Sequence, residues 1–339
     1  TIAIIIILFI TSPAPYLKIM SDIFQFLWDI PYSIALVISS LFSIIYIFNG
    51  GFNSIIRTDK IQFILMYVGF ITILCSAYIE YGGLNFLLDN TPDYTFKVPG
   101  NLNWSTILVW SLIAFVTFID PNFYQRTFSG QSLETVQKGI KISILCWIVF
   151  DGLTIFTGIY ASAILSNPIE NNPYLLLSQT LLPPILQGLF IISLMSIVMS
   201  TIDSYSFTSS MIIGRDIIPT MFNKKDTVKN TKISIVFTIL IASILIFIIG
   251  YDNMNFVINF WWFFGCLGGC MLIIPYMLLL NNYIISKPLF VLLLPGIVFI
   301  FLNMAGYNFS YNPVAIYISL FVSLIINLLF SKKCSQQFF

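Results

Sequence analysis

The stretch SIVMSTIDSYSFTSS, from Ser196 to Ser210, carries eight serine or threonine hydroxyls and one aspartate. The 339-residue chain around it is 58% hydrophobic and only 9% charged. On an α-helix, residues three or four apart share a face. The polar residues with this spacing are Ser193, Ser196, Ser200, Ser204 and Thr208. The pattern predicts a helix that carries one polar stripe inside an otherwise apolar chain.

Apolar segments long enough to cross a bilayer recur along nearly the whole chain. The mean hydropathy is +0.94 and there are 33 phenylalanines, which is outside the usual composition of a soluble domain. A membrane-spanning helix needs about 20 apolar residues. We predict an all-α polytopic membrane protein embedded in a lipid bilayer, with spans near 1–11, 31–48, 58–79, 104–120, 139–165, 183–213, 232–250, 254–280, 288–304 and 313–331.

The first of these segments is too short for a complete span. The chain begins at Thr1 without a charged signal-peptide flank, which argues against a signal sequence. We expect this segment to be the tail of a longer helix, in a chain whose N-terminus is truncated.

Composition also excludes several function classes. The formal net charge of +1 gives no electrostatic support for nucleic-acid binding. The sequence contains no histidine, so histidine metal sites and catalytic dyads are excluded within it. The five cysteines have no CxxC spacing and fall mostly in apolar runs, where cysteine acts as a small hydrophobe.

Lysine and arginine segregate to alternate connections between the predicted spans. Short cytoplasmic loops collect these residues, and of the 15 basic residues only Lys18 and Lys97 fall on the opposite side. The alternation predicts a cytoplasmic C-terminus and a protein of the plasma or inner membrane. Because every basic residue is assigned to a loop, we expect no buried cation that could hold a substrate carboxylate.

Four aspartates fall inside or at the ends of predicted spans: Asp59, Asp120, Asp151 and Asp203. A charge inside a bilayer is costly, so each of them is a candidate functional group. Asp59 can equally be a first-turn acid at a helix N-terminus, and Asp120, which precedes Pro121, can be a helix stop. Asp151 has either an internal polar partner or a proton or ion role.

The hydroxyl stripe itself has two interpretations. Serine and threonine can bond back to their own helix backbone and permit close helix packing. A column of oxygen atoms beside Asp203 also suits a hard cation, which takes carbonyl, hydroxyl and carboxylate ligands. We favour the cation for the stripe as a whole.

Three segments resemble motifs of the sodium:solute symporter family, which includes proline, pantothenate, sialic acid, glucose and iodide carriers. The first is IYIFNGGFNSIIRTDKIQ, residues 45–62, which is similar to a paired-glycine loop followed by a T-D-x-x-Q helix start. The second is DPNFYQRTFSGQSLETVQKG, residues 120–139, which is similar to a Q-R loop. The third is MSTIDSYSFTSSMIIGRDI, residues 199–217, which is similar to a hydroxyl-rich helix. The resemblance runs from Thr1 to about Phe330.

The resemblance implies the leucine-transporter-type fold, in which two inverted five-helix repeats enclose a site at the membrane midplane. Residues 1–81 would be the remainder of the first repeat, without its first helices. Residues 103–281 would form the second repeat, and residues 282–339 would add two C-terminal helices and a short cytoplasmic tail. The whole of 1–339 is then a single transmembrane transporter domain.

The resemblance also implies ligands for the coupling ion. Ser200 and Thr201 match the two hydroxyl ligands of the sodium site that the family shares. Asp59 matches an acidic residue that helps to bind a second sodium ion or a proton in some members. The members with two sodium ions carry a hydroxyl where this chain has Ile197.

That departure puts a second ion in doubt, and the neighbouring side chains supply the alternatives. Asp203 could compensate for Ile197 by offering a carboxylate one helical step away. The candidates for a second ion or proton site are therefore Asp59, Asp203, Ser204 and Asp151. Gln125 and Arg126 are interpreted as a loop contact on the cytoplasmic face and not as ligands.

The candidate solute contacts are Asn259, Trp261, Trp262 and Phe115. Phe115 lies in SLIAFVTFID, residues 111–120, which is apolar where sugar carriers of the family have an asparagine and tyrosines, so a sugar is not expected. The tryptophans can instead be interfacial anchors. We expect a small amino acid or carboxylate, whose charge the exposed N–H groups of a broken helix could meet.

The implied function is sodium-coupled symport of a small organic solute by alternating access, with sodium as the coupling ion and no enzymatic activity. Two alternatives stay open, a proton-coupled carrier of the same fold and a membrane sensor domain. An aspartyl intramembrane protease is disfavoured because the GxGD motif of such enzymes is absent from the sequence.

Overall fold

The computed structural model describes residues 7–49, 51–165, 172–222, 227–250, 255–307 and 313–333, and these are almost entirely helical. The helices are α1 Ala14–Trp28, α2 Tyr32–Asn49, α3 Phe52–Tyr81, α4 Leu84–Asn90, α5 Trp104–Phe118, α6 Pro121–Phe128, α7 Leu133–Ile164, α8 Pro173–Leu181, α9 Pro184–Phe222, α10 Thr227–Gly250, α11 Phe256–Leu280, α12 Pro288–Met304 and α13 Val314–Phe330. Two short antiparallel strands, β1 Tyr283–Ile285 and β2 Ser331–Lys333, pair with each other.

The long helices coincide with the predicted membrane spans. Five of them, α3, α7, α9, α10 and α11, are long and apolar enough to cross a bilayer. Two bent pairs, Ile7–Trp28 with Tyr32–Phe48 and Trp104–Phe118 with Pro121–Phe128, raise that number to seven within the described residues. The helices α12 and α13 are apolar but have only 17 residues each. The predicted all-α membrane architecture is thus confirmed, with a helix at each predicted span from 31–48 onward; residues 1–6 of the first predicted span lie outside the described residues.

The prediction was wrong between residues 12 and 30, which were assigned to a loop. The structure places α1 there, with Pro15 in its first turn, where a proline lacks no hydrogen bond that the helix needs. The charges of Lys18 and Asp22 interrupt the apolar run and hid this helix in the sequence. The helix ends at Asp29, whose backbone is left-handed with φ of 50°.

The chain divides into two compact units. Unit 1 comprises Thr1–Ser12, Asn101–Tyr124 and Asn255–Phe339, and unit 2 comprises Pro13–Gly100 and Gln125–Met254. Each unit combines segments of both predicted inverted repeats, so the compact units do not follow the boundaries 1–81, 103–281 and 282–339. The repeat boundaries stay a prediction.

The packing of α3 against α9 organises unit 2. Phe52 stacks on Phe207 at 6.2 Å, Asp59 meets Ser200, and the Ser193 hydroxyl donates to the Met66 carbonyl at 3.1 Å. These contacts recur every seven residues and in opposite order on the two helices, which is the spacing of helices packed side by side. The two helices are therefore antiparallel, and their register places the hydroxyl stripe of α9 on α3.

A glycine permits the close approach of these two helices. A Cβ atom at Gly69 would lie 2.2 Å from the Ser193 Cβ and 2.4 Å from its hydroxyl oxygen. Real Cβ atoms do not come that close to a neighbouring atom, so any larger residue would push α3 from α9. Small residues at helix contacts are typical of membrane bundles, because they let the backbones touch.

The core of unit 1 consists of apolar side chains from α5, α11, α12 and α13. Trp262 packs edge-on against Trp110 at 5.3 Å, and Phe263 lies 5.6 Å from Phe299. Gly265 has no room for a side chain, since a Cβ there would lie 2.6 Å from an Ile113 methyl carbon. Aromatic and aliphatic packing thus holds this unit together.

Candidate cation site

The stripe on α9 meets a carboxylate on α3. The Ser200 hydroxyl donates a 2.8 Å hydrogen bond to Asp59 Oδ1. Asp59 lies in the second turn of α3, which begins at Phe52 after the extended Gly51. The structure therefore brings together two of the residues that the sequence predicted, which lie 141 positions apart in the chain.

The neighbouring hydroxyls donate their hydrogens to backbone carbonyls. Thr201 donates to the Ile197 carbonyl at 3.2 Å, and Ser204 donates to the Ser200 carbonyl at 2.8 Å. A hydroxyl has one hydrogen and two lone pairs, so Ser200 and Thr201 keep oxygen lone pairs to offer a cation. The two interpretations of the stripe are thus compatible, because back-bonding to the helix leaves its oxygens available.

Arg126 completes what we call the polar cluster, which consists of Asp59, Arg126, Ser200 and Ser204. One guanidinium nitrogen of Arg126, Nη2, donates to the Ser204 hydroxyl oxygen at 2.7 Å and lies 3.2 Å from Asp59 Oδ2. Both carboxylate oxygens of Asp59 are therefore engaged. Arg126, which we interpreted as a loop contact and not as a ligand, lies in the last turn of α6, and its side chain reaches the predicted ion site as a hydrogen-bond donor. Its neighbour Gln125 accepts a 3.3 Å hydrogen bond from Thr208, the residue of the stripe nearest to the C-terminal end of α9.

Asp203 is the most buried charge near this cluster, with 1% of its surface exposed. The Tyr46 side chain of α2 lies beside its carboxyl group. One carboxyl oxygen, Oδ2, has no hydrogen-bond partner among the described residues. An unpaired buried carboxylate oxygen is costly, so Asp203 is a group that a proton or a cation would stabilise.

The other two aspartates lie apart from the cluster. Asp151 is exposed on α7, and within the described part of the chain its carboxylate forms no hydrogen bond or ion pair. Asp120 accepts hydrogen bonds from the backbone and side chain of Asn122 at 2.8 and 2.9 Å. This is the geometry of a helix cap, which agrees with the structural interpretation of Asp120 as the residue that separates α5 from α6.

The four predicted solute residues all lie in unit 1 and have different environments. Trp262 is 3% exposed within the apolar core. Asn259 and Trp261 are half-buried on α11. Phe115 is 46% exposed in the final 3-10 turn of α5 and lies 5.9 Å from Phe118. Trp262 is therefore a packing residue, whereas the other three have surface to offer a ligand.

Two polar residues, the buried Lys18 and the half-buried Tyr46, escaped the sequence prediction. Lys18 is 9% exposed inside α1, pairs with Asp22 at 2.6 Å and lies 4.7 Å from the centre of the Tyr32 ring. The expectation that all basic residues lie in loops was therefore wrong. The spacing of Lys18 and Asp22, four residues apart, is that of a helical ion pair and is the signal that could have revealed α1. For Tyr46 no signal exists, because nothing local in the sequence tells where α2 passes α9.

Comparisons with known proteins agree with this architecture. The sodium:solute symporter family model matches residues 2–280. The sodium/pantothenate symporter of Haemophilus influenzae is 28% identical over 64% of this chain and 47% of its own, and the sodium/proline symporter of that organism is 26% identical over 58% and 42%. Sodium-coupled monocarboxylate transporter 2 of Bos taurus is 23% identical over 55% and 33%. The chain thus spans less than half the length of these curated relatives.

A solved structure of similar fold is that of a Na+-coupled sialic acid symporter in its substrate-bound outward-open state. It matches with a TM-score of 0.73 and 19% sequence identity, over 99% of this chain and 75% of the other. The predicted symporter fold is thereby confirmed.

Proposed function

Because the chain belongs to the sodium:solute symporter family, whose members are transporters and not enzymes, we propose that it carries a small organic solute across the plasma membrane together with sodium. The transport is secondary active and proceeds by alternating access. The C-terminus lies in the cytoplasm, as the distribution of basic residues predicts.

The contact between Ser200 and Asp59 is the observation that carries this proposal. Sodium is a hard cation that prefers oxygen ligands, and α9 offers the oxygens of Ser200 and Thr201 beside a carboxylate on α3. In this fold, backbone carbonyls of a broken helix complete such a site. Ser200 and Thr201 are thus the sodium ligands on α9, with Asp59 close enough to attract the ion electrostatically.

Sodium binding would drive transport by stabilising the conformation that accepts solute from outside. An ion that binds one of two conformations more tightly shifts the protein towards that conformation. Ion and solute then leave together on the inner side, as α9 tilts away from the broken helix. The membrane potential adds about 2.3 kcal/mol per charge for each 100 mV.

The solute is an amino acid or a carboxylate in preference to a sugar. The apolar side chains of residues 112–116, among them the exposed Phe115 ring, offer no hydrogen bonds to a polyol. The relatives described above are named for pantothenate, proline and monocarboxylates. Asn259 and Trp261 are the residues of α11 that we assign to the solute.

A proton-coupled carrier of the same fold is the second candidate. Its support is the buried Asp203 carboxyl group, one oxygen of which lacks a partner among the described residues. A proton on that oxygen would remove the cost of the buried charge. In such a carrier the proton would replace sodium as the driving ion.

The test is uptake of a panel of radiolabelled amino acids, carboxylates and sugars into proteoliposomes that contain the natural full chain. An inward sodium gradient, an inward proton gradient and no gradient are compared. Accumulation of one solute only under the sodium gradient supports the proposal. Accumulation that follows the proton gradient and ignores sodium contradicts it and favours the second candidate.

A further inference from the structure

Arg126 occupies the oxygens that a second cation would need. Asp59 Oδ2 and the Ser204 oxygen both lie within 3.2 Å of its Nη2 atom. The Ser200 hydroxyl donates a hydrogen bond to the other oxygen of the same carboxylate, Asp59 Oδ1. A cation that entered between Asp59 and Ser204 would therefore meet a positive charge that is already in place.

The charge of Arg126 is permanent, so Arg126 always competes with a second sodium ion for the oxygens of Asp59 and Ser204. A guanidinium stays protonated in proteins and presents its donors in a rigid planar fork. A proton shift therefore cannot empty the position. Two like charges a few ångströms apart repel each other strongly in a partly buried site, and Asp59 supplies a single negative charge for both. A second sodium ion between Asp59 Oδ2 and the Ser204 oxygen is then excluded while the Arg126 guanidinium is docked there.

The surroundings leave the guanidinium room to move away. A cavity of about 510 Å³ adjoins the cluster, and its lining consists of Ile56, Asp59, Lys60, Phe63, Ile64, Arg126 and Ser129. The Arg126 side chain is 39% exposed, against 24% for Asp59. Arg126 is thus held by two polar contacts on one side and faces open space on the other. Lys60 lines the same cavity, but no ion pair joins it to a described carboxylate.

We propose that Arg126 is a tethered cation that fills the second ion position of this chain, so that one sodium ion binds while the guanidinium is docked on Asp59 and Ser204. A second sodium ion binds only when Arg126 withdraws into the cavity. Arg126 thereby determines the number of sodium ions moved with each solute. This inference rests on the proposed function for its meaning in transport, but the site itself is defined by sodium binding alone.

The test counts the radioactive sodium ions that the purified natural full chain binds at saturation. We expect one ion in the wild type and two in Arg126→Gln, which keeps a polar side chain but removes the charge. Lys60→Gln is the matched control, because it removes one positive charge from the same cavity without touching Asp59, and we expect one ion. In the double variant Asp59→Asn/Arg126→Gln the count should return to one.

Several results would overturn the inference: two ions in the wild type, no additional ion in Arg126→Gln, an additional ion in Lys60→Gln, or an additional ion that persists in Asp59→Asn/Arg126→Gln. If Arg126→Gln does not fold, the number of bound sodium ions is measured in Arg126→Lys instead. Its ammonium lacks the planar fork, so a second site should fill only at high sodium concentration, and a single saturable site would contradict the proposal. If the wild type binds no sodium and Arg126→Gln binds one ion, the proposed function is contradicted. Arg126 would then still act as the cation that excludes sodium from Asp59 and Ser204.

Discussion

The polar seam of unit 2 and the aromatic core of unit 1 contrast in what their polar and bulky residues do. The polar seam is the contact between α3 and α9, where the hydroxyls of Ser200 and Ser193 on α9 donate hydrogen bonds to Asp59 and Met66 on α3. In the core of unit 1, Trp262 packs against Trp110 and keeps only 3% of its own surface exposed. The seam offers oxygen atoms with free lone pairs, whereas the core is filled. A sequence pattern alone does not distinguish a residue that lines a site from one that fills a core.

The seam should lose function without losing its fold when its oxygens are removed. In Ser200→Ala/Thr201→Ala we expect sodium-driven accumulation to disappear. The sodium concentration for half-maximal uptake should rise by about tenfold or more, since a loss of ~1.4 kcal/mol in binding is tenfold. Sodium-dependent uptake into proteoliposomes measures this. Ser209→Ala on the same helix is the control, and unchanged sodium dependence in the double variant would contradict the assignment.

The core should respond to truncation in the opposite way. Trp262→Ala removes a buried ring, and we expect a loss of stability of about 3–5 kcal/mol. Trp261→Ala changes the neighbouring half-buried ring, and we expect it to alter the half-saturating solute concentration with a much smaller loss of stability. Thermal unfolding in detergent and solute titrations measure the two effects. Equal destabilisation by both substitutions would contradict the distinction between Trp262 as a packing residue and Trp261 as a residue that contacts the solute.

The close contact of α3 with α9 can be tested by a single methyl group. Gly69→Ala places a Cβ atom on Ser193, and overpacking of this kind costs about 1–3 kcal/mol. Gly188→Ala, on α9, meets no atom within 4 Å and should be neutral or slightly stabilising, because alanine favours a helix more than glycine does. The melting temperatures of the two variants should differ clearly, and equal values would argue against the register of the seam.

The smallest expected effect compares two aspartates that the sequence ranked alike. Asp203 is buried beside Tyr46, and Asp151 is exposed on α7. We expect Asp203→Asn to raise the half-saturating sodium concentration by about fivefold, corresponding to ~1 kcal/mol, and Asp151→Asn to leave it within about twofold. Titration of uptake with sodium tests both. An effect of Asp151→Asn that equals that of Asp203→Asn would restore Asp151 as an ion or proton site.

Much of the seam could be predicted from local patterns. The spacing of the hydroxyls gave the polar face of α9, and the rarity of charge in an apolar chain singled out Asp59 and Asp203. Arg126 was not assigned to the site, because its contact with Asp59, 67 residues away in sequence, is tertiary and no local pattern encodes it. Helix α1 was missed because the paired charges of Lys18 and Asp22 cancel only in three dimensions.

The predicted solute residues show, in physical terms, what could not be derived from the sequence. Trp261 and Trp262 are adjacent and chemically identical, yet their helix turns one ring into the core and leaves the other half-buried. A helix rotates each successive residue by about 100°, so which of the two rings faces inward depends on the packing partner. That partner, Trp110 of α5, is 152 residues away in sequence.

The most direct test of the central claim is whether sodium itself binds at Ser200 and Thr201. The measurement is the melting temperature of the purified natural full chain in rising NaCl, with choline chloride at equal ionic strength as the reference. A ligand at about 100 times its dissociation constant stabilises a folded protein by ~2.7 kcal/mol. The account predicts a sodium-specific rise in the wild type that is lost in Ser200→Ala/Thr201→Ala. A rise of equal size in the double variant, or none in the wild type, would contradict it.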